Sequence, residues 1–225
     1  MRRLISFLIL LTLKGISALF YRYKIGWPAN PIQWNNIKLI VFLNHTSLFE
    51  PIFLGFLPVS FLWQLSQRMA APGADKTMNR PIVGTLYKLM SPGITSISRN
   101  RDDTWDQFTD SISDDSIIVI APEGRMKRKN GLDLDGNKMT VRGGVADLLS
   151  GLYKGQMILA YSGGLHHVQI PGEGLPKVFK TLKINIEAFE IADYKDSFNE
   201  PTGSPSWKKK VLDDLQYRLE TKVPV

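Results

Sequence analysis

His45 and Glu50 stand five residues apart in the stretch Leu43–Glu50, LNHTSLFE. A carboxylate that accepts a hydrogen bond from one imidazole nitrogen fixes the tautomer and leaves the other nitrogen free to take a proton, which is the orienting logic of a catalytic dyad. Five is the wrong spacing for one face of a helix. The two side chains can meet only if His45 sits in a loop ahead of a helix. A structural reading competes: Ser47 and Glu50 match a capping box, with Glu50 at the third helical position and Pro51 in the tolerated first turn. Asn44-His45-Thr46 also matches a glycosylation acceptor, a coincidence behind an apolar strand.

Two further stretches follow the same plan, an apolar strand running into polar residues. In IVIAPEGRMKRKNG, Glu123 and Gly124 fall at the turn. Gly124 allows an anion to approach the backbone. Arg125, Lys127, Arg128 and Lys129 supply positive charge, with Lys138 and Arg142 shortly after, so the loop suits a phosphate or lipid head group. In PGITSISRNRDD, a strand delivers Arg99 at its end. His166-His167 lacks spaced partners and reads as an ordinary loop pair rather than a metal site. Cysteine is absent, which excludes disulfides, thiolate metal sites and a cysteine nucleophile, and no G-x-S-x-G elbow is present.

The elements that must position these residues alternate. Ile37–Leu43 is a continuous apolar run with the look of a buried strand. PIFLGFLP is a short helix between prolines, and Ser60–Leu65 reads as a second strand. Arg80–Met90 is predicted helical, Gly93–Ser98 a strand, Asp102–Ile112 an amphipathic helix, and Ser116–Ala121 another buried strand. Gly144–Tyr153 is predicted helical. MILAYS and KTLKINIEAFEI are strands, and Ser206–Lys222 is a closing helix with Trp207, Val211, Leu215 and Leu219 inward. The alternation predicts an α/β domain over 28–225. Ahead of it, residues 1–27 form an apolar segment. As one helix, Leu4–Tyr21 would be about 27 Å long against a bilayer core of about 30 Å. A cleaved signal peptide and a spanning helix are both considered. A helix dipped into one leaflet, with Arg2, Arg3, Lys14, Arg22 and Lys24 at the head groups, suits the pattern best. The net charge of +7 favours anionic partners. Nucleic acid is not favoured, because the aromatics lie in predicted core elements rather than among the basic loop residues.

NHTSLFEP resembles the H-x4-D block of the glycerolipid acyltransferases, the group containing 1-acylglycerol-3-phosphate acyltransferase. GITSISR is similar to their second block, APEGR to the P-E-G-T-R block, and VRGGVADLL to the helix that follows. ADKTMNRPIVG is similar to the stretch between the first two blocks. The resemblance runs in order from about Ile37 to Tyr161. Glu50 replaces the commoner aspartate, Arg125 stands where threonine is usual, Met126 where arginine is usual, and Ala160 where a proline is usual. The resemblance implies a glycerol-3-phosphate acyltransferase-like sheet flanked by helices, with an N-terminal membrane-associated helix. It implies transfer of a fatty acyl group from acyl-CoA or acyl-carrier protein, as co-substrate, to a lysolipid or glycerol phosphate, without a metal or other cofactor. His45 would be the general base oriented by Glu50. Arg99, Glu123, Gly124 and Arg125 would bind the acceptor, and the protein would sit on the cytoplasmic face of a membrane. A non-catalytic module binding anionic lipid would use the same helix and basic loop but would not need His45 near Glu50.

Overall fold

A computed structural model describes residues 1–98, 102–170 and 175–224. Among them, seven strands form one sheet: β1 (Tyr21–Gly26), β2 (Ile37–Leu43), β3 (Met69–Ala74), β4 (Gly93–Ile97), β5 (Ile117–Ile120), β6 (Gln156–Ser162) and β7 (Lys180–Glu190), in the spatial order β1-β7-β6-β2-β5-β3-β4. Only the β6–β7 pair is antiparallel. The helices are α1 (Arg2–Phe20), α2 (Val59–Arg68), α3 (Asp75–Met78), α4 (Pro81–Met90), α5 (Thr104–Asp110), α6 (Gly144–Gly151), α7 (Ile191–Asp196) and α8 (Pro205–Thr221), with a 3-10 helix at Glu50–Phe56.

Both faces of the sheet are covered, as a parallel sheet requires. On one face, Leu39, Val41 and Leu43 pack with Phe108 of α5, Leu149 of α6, Tyr194 of α7 and Trp207 of α8, all buried. α8 starts at Pro205 behind Ser204, whose hydroxyl accepts from the Trp207 N–H at 3.2 Å. Its apolar residues recur every four positions and are the buried ones. On the other face, the 3-10 helix, α1 and α2 supply Ile52, Phe53, Leu10, Phe61 and Leu65. This second layer stands off the middle of the sheet and leaves a cavity of about 1060 Å³.

Three elements differ from the sequence-based expectation. Ser60–Leu65 is part of helix α2, not a strand; its buried residues Phe61, Leu62 and Leu65 follow helical spacing. The strand of that region is β3, MAAPGA, whose proline and glycine mask it. β3 pairs with β5 only at Met69 and Ala70, so Pro72 lies where the strand has a single neighbour, β4. The third is β1: residues 21–26, read as the end of the N-terminal segment, form the edge strand beside β7.

Candidate active site

Parallel pairing builds the site. Val41 of β2 is in register with Ile120 of β5. His45 lies four residues beyond the first and Glu123 three beyond the second, so both arrive at the carboxyl edge of the sheet, where α/β folds place their sites. Asn44 turns the chain there with φ +64°, a left-handed conformation that asparagine tolerates better than most residues. Its amide Nδ2 donates to Ser162 O of β6 at 2.8 Å.

Glu123, 2% exposed, accepts from the backbone N–H groups of Asn44 at 2.7 Å and His45 at 2.9 Å, one on each carboxylate oxygen. The basic loop is tied in as well: Lys127 N–H donates to His45 O at 2.7 Å, and His166 Nε2 bonds Lys127 O at 2.9 Å.

The backbone so held aims the imidazole at the start of the 3-10 helix. His45 Nδ1 is hydrogen-bonded to Glu50 Oε2. The other carboxylate oxygen accepts from Thr46 N–H at 2.7 Å and Ser47 N–H at 3.3 Å. Half of the capping box therefore exists alongside the dyad, and one glutamate serves both. The Ser47 hydroxyl accepts from Phe49 N–H, so the reciprocal half is a local turn. A carboxylate on Nδ1 makes that nitrogen the donor, leaving Nε2 without a partner among the described residues. Burial works to lower the His45 pKa, but the charge and hydrogen bond of Glu50 and the charge of Glu123 outweigh it, so the pKa is raised above 6.5. Burial likewise raises the Glu123 pKa, opposed by its two backbone donors.

His45 and Glu50 stand at the wall of the cavity. Its depth is apolar, with Phe42 of β2, Phe53 of the 3-10 helix, Ile158 and Ala160 of β6, and Ile186 of β7. Its polar rim includes Ser98, Asp102, Gly124 and Arg142.

The remaining candidates fall differently. Glu123 does not line the cavity; it turns to the backbone of residues 44 and 45 because two converging N–H groups there need an acceptor. Arg125 points away from the cavity, bonded through Nη1 to Asp133 and Asp135. These carboxylates come from the D-x-D-G turn, eight and ten residues on, a complementarity that a reading of the basic residues alone overlooks. Gly124 lines the rim, but its N–H donates to Ala121 O at 3.1 Å. Its φ is +66°, and a Cβ there would meet the Arg142 side chain 3.3 Å away; the glycine both makes the turn and gives Arg142 room. Arg99 lies outside the described residues. Arg142, counted in the sequence only among several basic residues, is the cation lining the rim among the described residues, with no ion pair there. Its signal was its place directly before Gly143-Gly144, at the start of α6.

The fold brings a histidine–carboxylate pair to the strand ends beside a largely apolar cavity. A family model described as Acyltransferase matches residues 30–160, more than half of the chain, and the chain belongs to that family. Among solved structures, the crystal structure of the 1-acyl-sn-glycerophosphate (LPA) acyltransferase PlsC from Thermotoga maritima matches with a TM-score of 0.52 at 14% identity, over 96% of this chain and 81% of that one. At that identity the likeness is one of fold. No curated protein matches.

Proposed function

We propose that the protein transfers a fatty acyl group from an acyl thioester, acyl-CoA or acyl-carrier protein, to the hydroxyl of a lysophospholipid or related glycerol phosphate at a membrane. The observation that carries this reading is the His45–Glu50 contact at the polar end of an apolar cavity. The acyl chain occupies the depth of the cavity, where it loses its contact with water. Nε2 of His45 takes the proton of the acceptor hydroxyl, and the oxygen attacks the thioester carbon directly. Glu50 stabilises the imidazolium, which returns the proton to the departing thiolate. Arg142 binds the acceptor's phosphate, with Gly124 leaving it room, and Arg99 joins it on the sequence pattern. Glu123 and Arg125 hold the loops on which these groups stand.

The outer side of α1 favours the membrane. Leu4, Leu8 and Leu19 are exposed, as are Ile82 and Leu89 of α4 and Trp63 of α2. Contiguous exposed apolar surface of this kind is rare on soluble proteins. Arg2, Arg3, Arg22 and Lys24 are exposed at the ends of the helix. α1 is long and apolar enough to cross a bilayer, yet one side of it is buried on the domain through Ser6, Leu10 and Ser17. That arrangement favours a helix lying in the leaflet, which we place on the cytoplasmic side.

The decisive experiment is acyl transfer from acyl-CoA to 1-acylglycerol-3-phosphate by the purified protein and by His45→Ala. We expect loss of about 10²–10⁴-fold in kcat, the usual worth of a general base. Unchanged activity in His45→Ala would sink the assignment.

A further inference from the structure

A lysine stands in the middle of the most apolar helix of the chain. Lys14 does not reach the head groups, as its pattern suggested. Its ammonium donates to Gly55 O at 2.6 Å and Leu57 O at 2.8 Å, the carbonyls at the end of the 3-10 helix Glu50–Phe56. The first residue of that helix is Glu50.

The 3-10 helix needs outside support. Such helices have poor internal hydrogen-bond geometry and rarely exceed three or four residues; this one has seven. Its terminal carbonyls have no partner within the helix, and a cation there also meets the negative end of the peptide dipoles. α1 and β1 supply a second tie: Ser17 and Tyr23 both donate to Ile52 O, the tyrosine at 2.8 Å. The contact is so close that a Cβ on Gly55 would lie 1.8 Å from the Tyr23 hydroxyl oxygen. On the other side, the Tyr87 hydroxyl of α4 holds Leu48 O at 3.0 Å, and Ser6 of α1 donates to Met90 O at the end of α4.

We infer that Lys14 is a positioning residue for the dyad: by clamping the far end of the 3-10 helix to α1, it keeps Glu50 at the reach of His45. The proposal rests on the acyl-transfer reading for its consequence, but the coupling itself can be observed without turnover. Lys14 touches neither His45 nor Glu50, so it acts through backbone placement. A misplacement of about 1 Å in a reacting constellation can cost about 10²-fold in rate.

The test compares the full-length protein with Lys14→Met, Lys14→Arg and Lys14→Gln in detergent micelles. One readout is kcat and KM for acyl transfer. The other is the titration of the His45 ring followed by NMR on histidine-labelled protein, with the signal assigned by its loss in His45→Ala. The charged groups facing that ring are Glu50 from the 3-10 helix and Glu123 from the loop after β5, with Tyr87 of α4 next to Glu50. Lys14→Met is expected to lower kcat about 10–100-fold, to change KM for the acyl thioester by less than about threefold, and to move the His45 titration to lower pH as Glu50 withdraws. Lys14→Arg should behave as the parent in both. A parent-like His45 titration in Lys14→Met overturns the proposal, whatever the rate. If Lys14→Met does not fold, Lys14→Gln decides by the same criterion, since its amide nitrogen stops one bond short of both carbonyls. Full activity of His45→Ala would instead remove the acyl-transfer reading while leaving the titration result to stand on its own.

Discussion

At the residue scale, the site is a set of carboxylates assigned to different work by what surrounds each one. Glu50 divides its oxygens between the imidazole and the backbone of Thr46 and Ser47. Glu50→Gln keeps the shape and loses the charge, so the main cause that raises the His45 pKa disappears. The proposed general base works as neutral imidazole, so on that reading activity should rise with pH through the His45 pKa, with a limb above 6.5 in the parent. In Glu50→Gln that limb should move to lower pH while the plateau kcat falls about 10²-fold, measurable as a pH–rate profile. Glu123 faces two backbone donors and does not line the cavity. A glutamine there can satisfy only one of them and turns its own N–H groups toward the other. Glu123→Gln should therefore cost about 1–3 kcal/mol in denaturant unfolding. It should lower kcat through misplacement of His45, with little change in acceptor KM. Arg142→Ala should do the reverse, raising KM for the phosphate-bearing acceptor about tenfold or more, whereas Arg125→Ala should leave that KM near the parent's. The residues alone left the His45–Glu50 pairing open against a capping box, and the resemblance to the H-x4-D block favoured the pair; the structure holds the contact together with half of the box. The roles of Arg125 and Arg142 were not legible: positive charge in a loop is visible, but Asp133 and Asp135, which draw one arginine away, lie eight and ten residues on and are joined to it only by folding.

At the scale of elements, burial pattern decided what could be read. β2, β5, β6 and β7 carry branched apolar residues and were recognisable as strands, as was α8 from its four-residue spacing. α2 was read as a strand, and β3 was not read as an element. The apolar stretch at 60–65 is short enough to fit either period, and the true strand holds proline and glycine because much of it borders one neighbour only. α8 gives a direct check on the layer that backs the site. Trp207 is fully buried, its indole N–H donating to Lys195 O at 3.2 Å. Trp207→Ala removes a large aromatic from the core and should destabilise the fold by about 3–5 kcal/mol in denaturant unfolding, with the m-value unchanged. No residue of α8 lines the cavity, so the surviving folded protein should keep the parent's acyl-chain preference.

At the scale of the whole molecule, α1 joins two functions that the sequence presented as separable. The apolar N-terminal helix was legible in the sequence; that it also contributes to the wall of the cavity was not, because the contacts of Leu10, Lys14 and Ser17 with residues 52–57 span more than thirty positions. Leu10 is 1% exposed against the domain, while Leu8 and Leu19 on the same helix face outward. The two sides can be tested independently. Leu8→Asp combined with Ile82→Asp places charge on the outer surface alone, and should weaken sedimentation with anionic vesicles while leaving turnover of a micellar substrate within about twofold. Removal of Met1–Tyr21 attacks both sides. It strips Leu10 from the cavity, leaves the carbonyls of Gly55 and Leu57 without their side-chain donor, and leaves that of Ile52 with Tyr23 alone. It also deletes the first residue of β1. An enzyme merely tethered by its first helix would become soluble and stay active when the helix is cut. Here the truncated chain should lose acyl transfer on micellar substrate as well as vesicle binding. It should also expose the apolar faces of the 3-10 helix and α4, detectable as aggregation in light scattering. A soluble truncated protein with the parent's kcat would show that the helix serves as an anchor and nothing more.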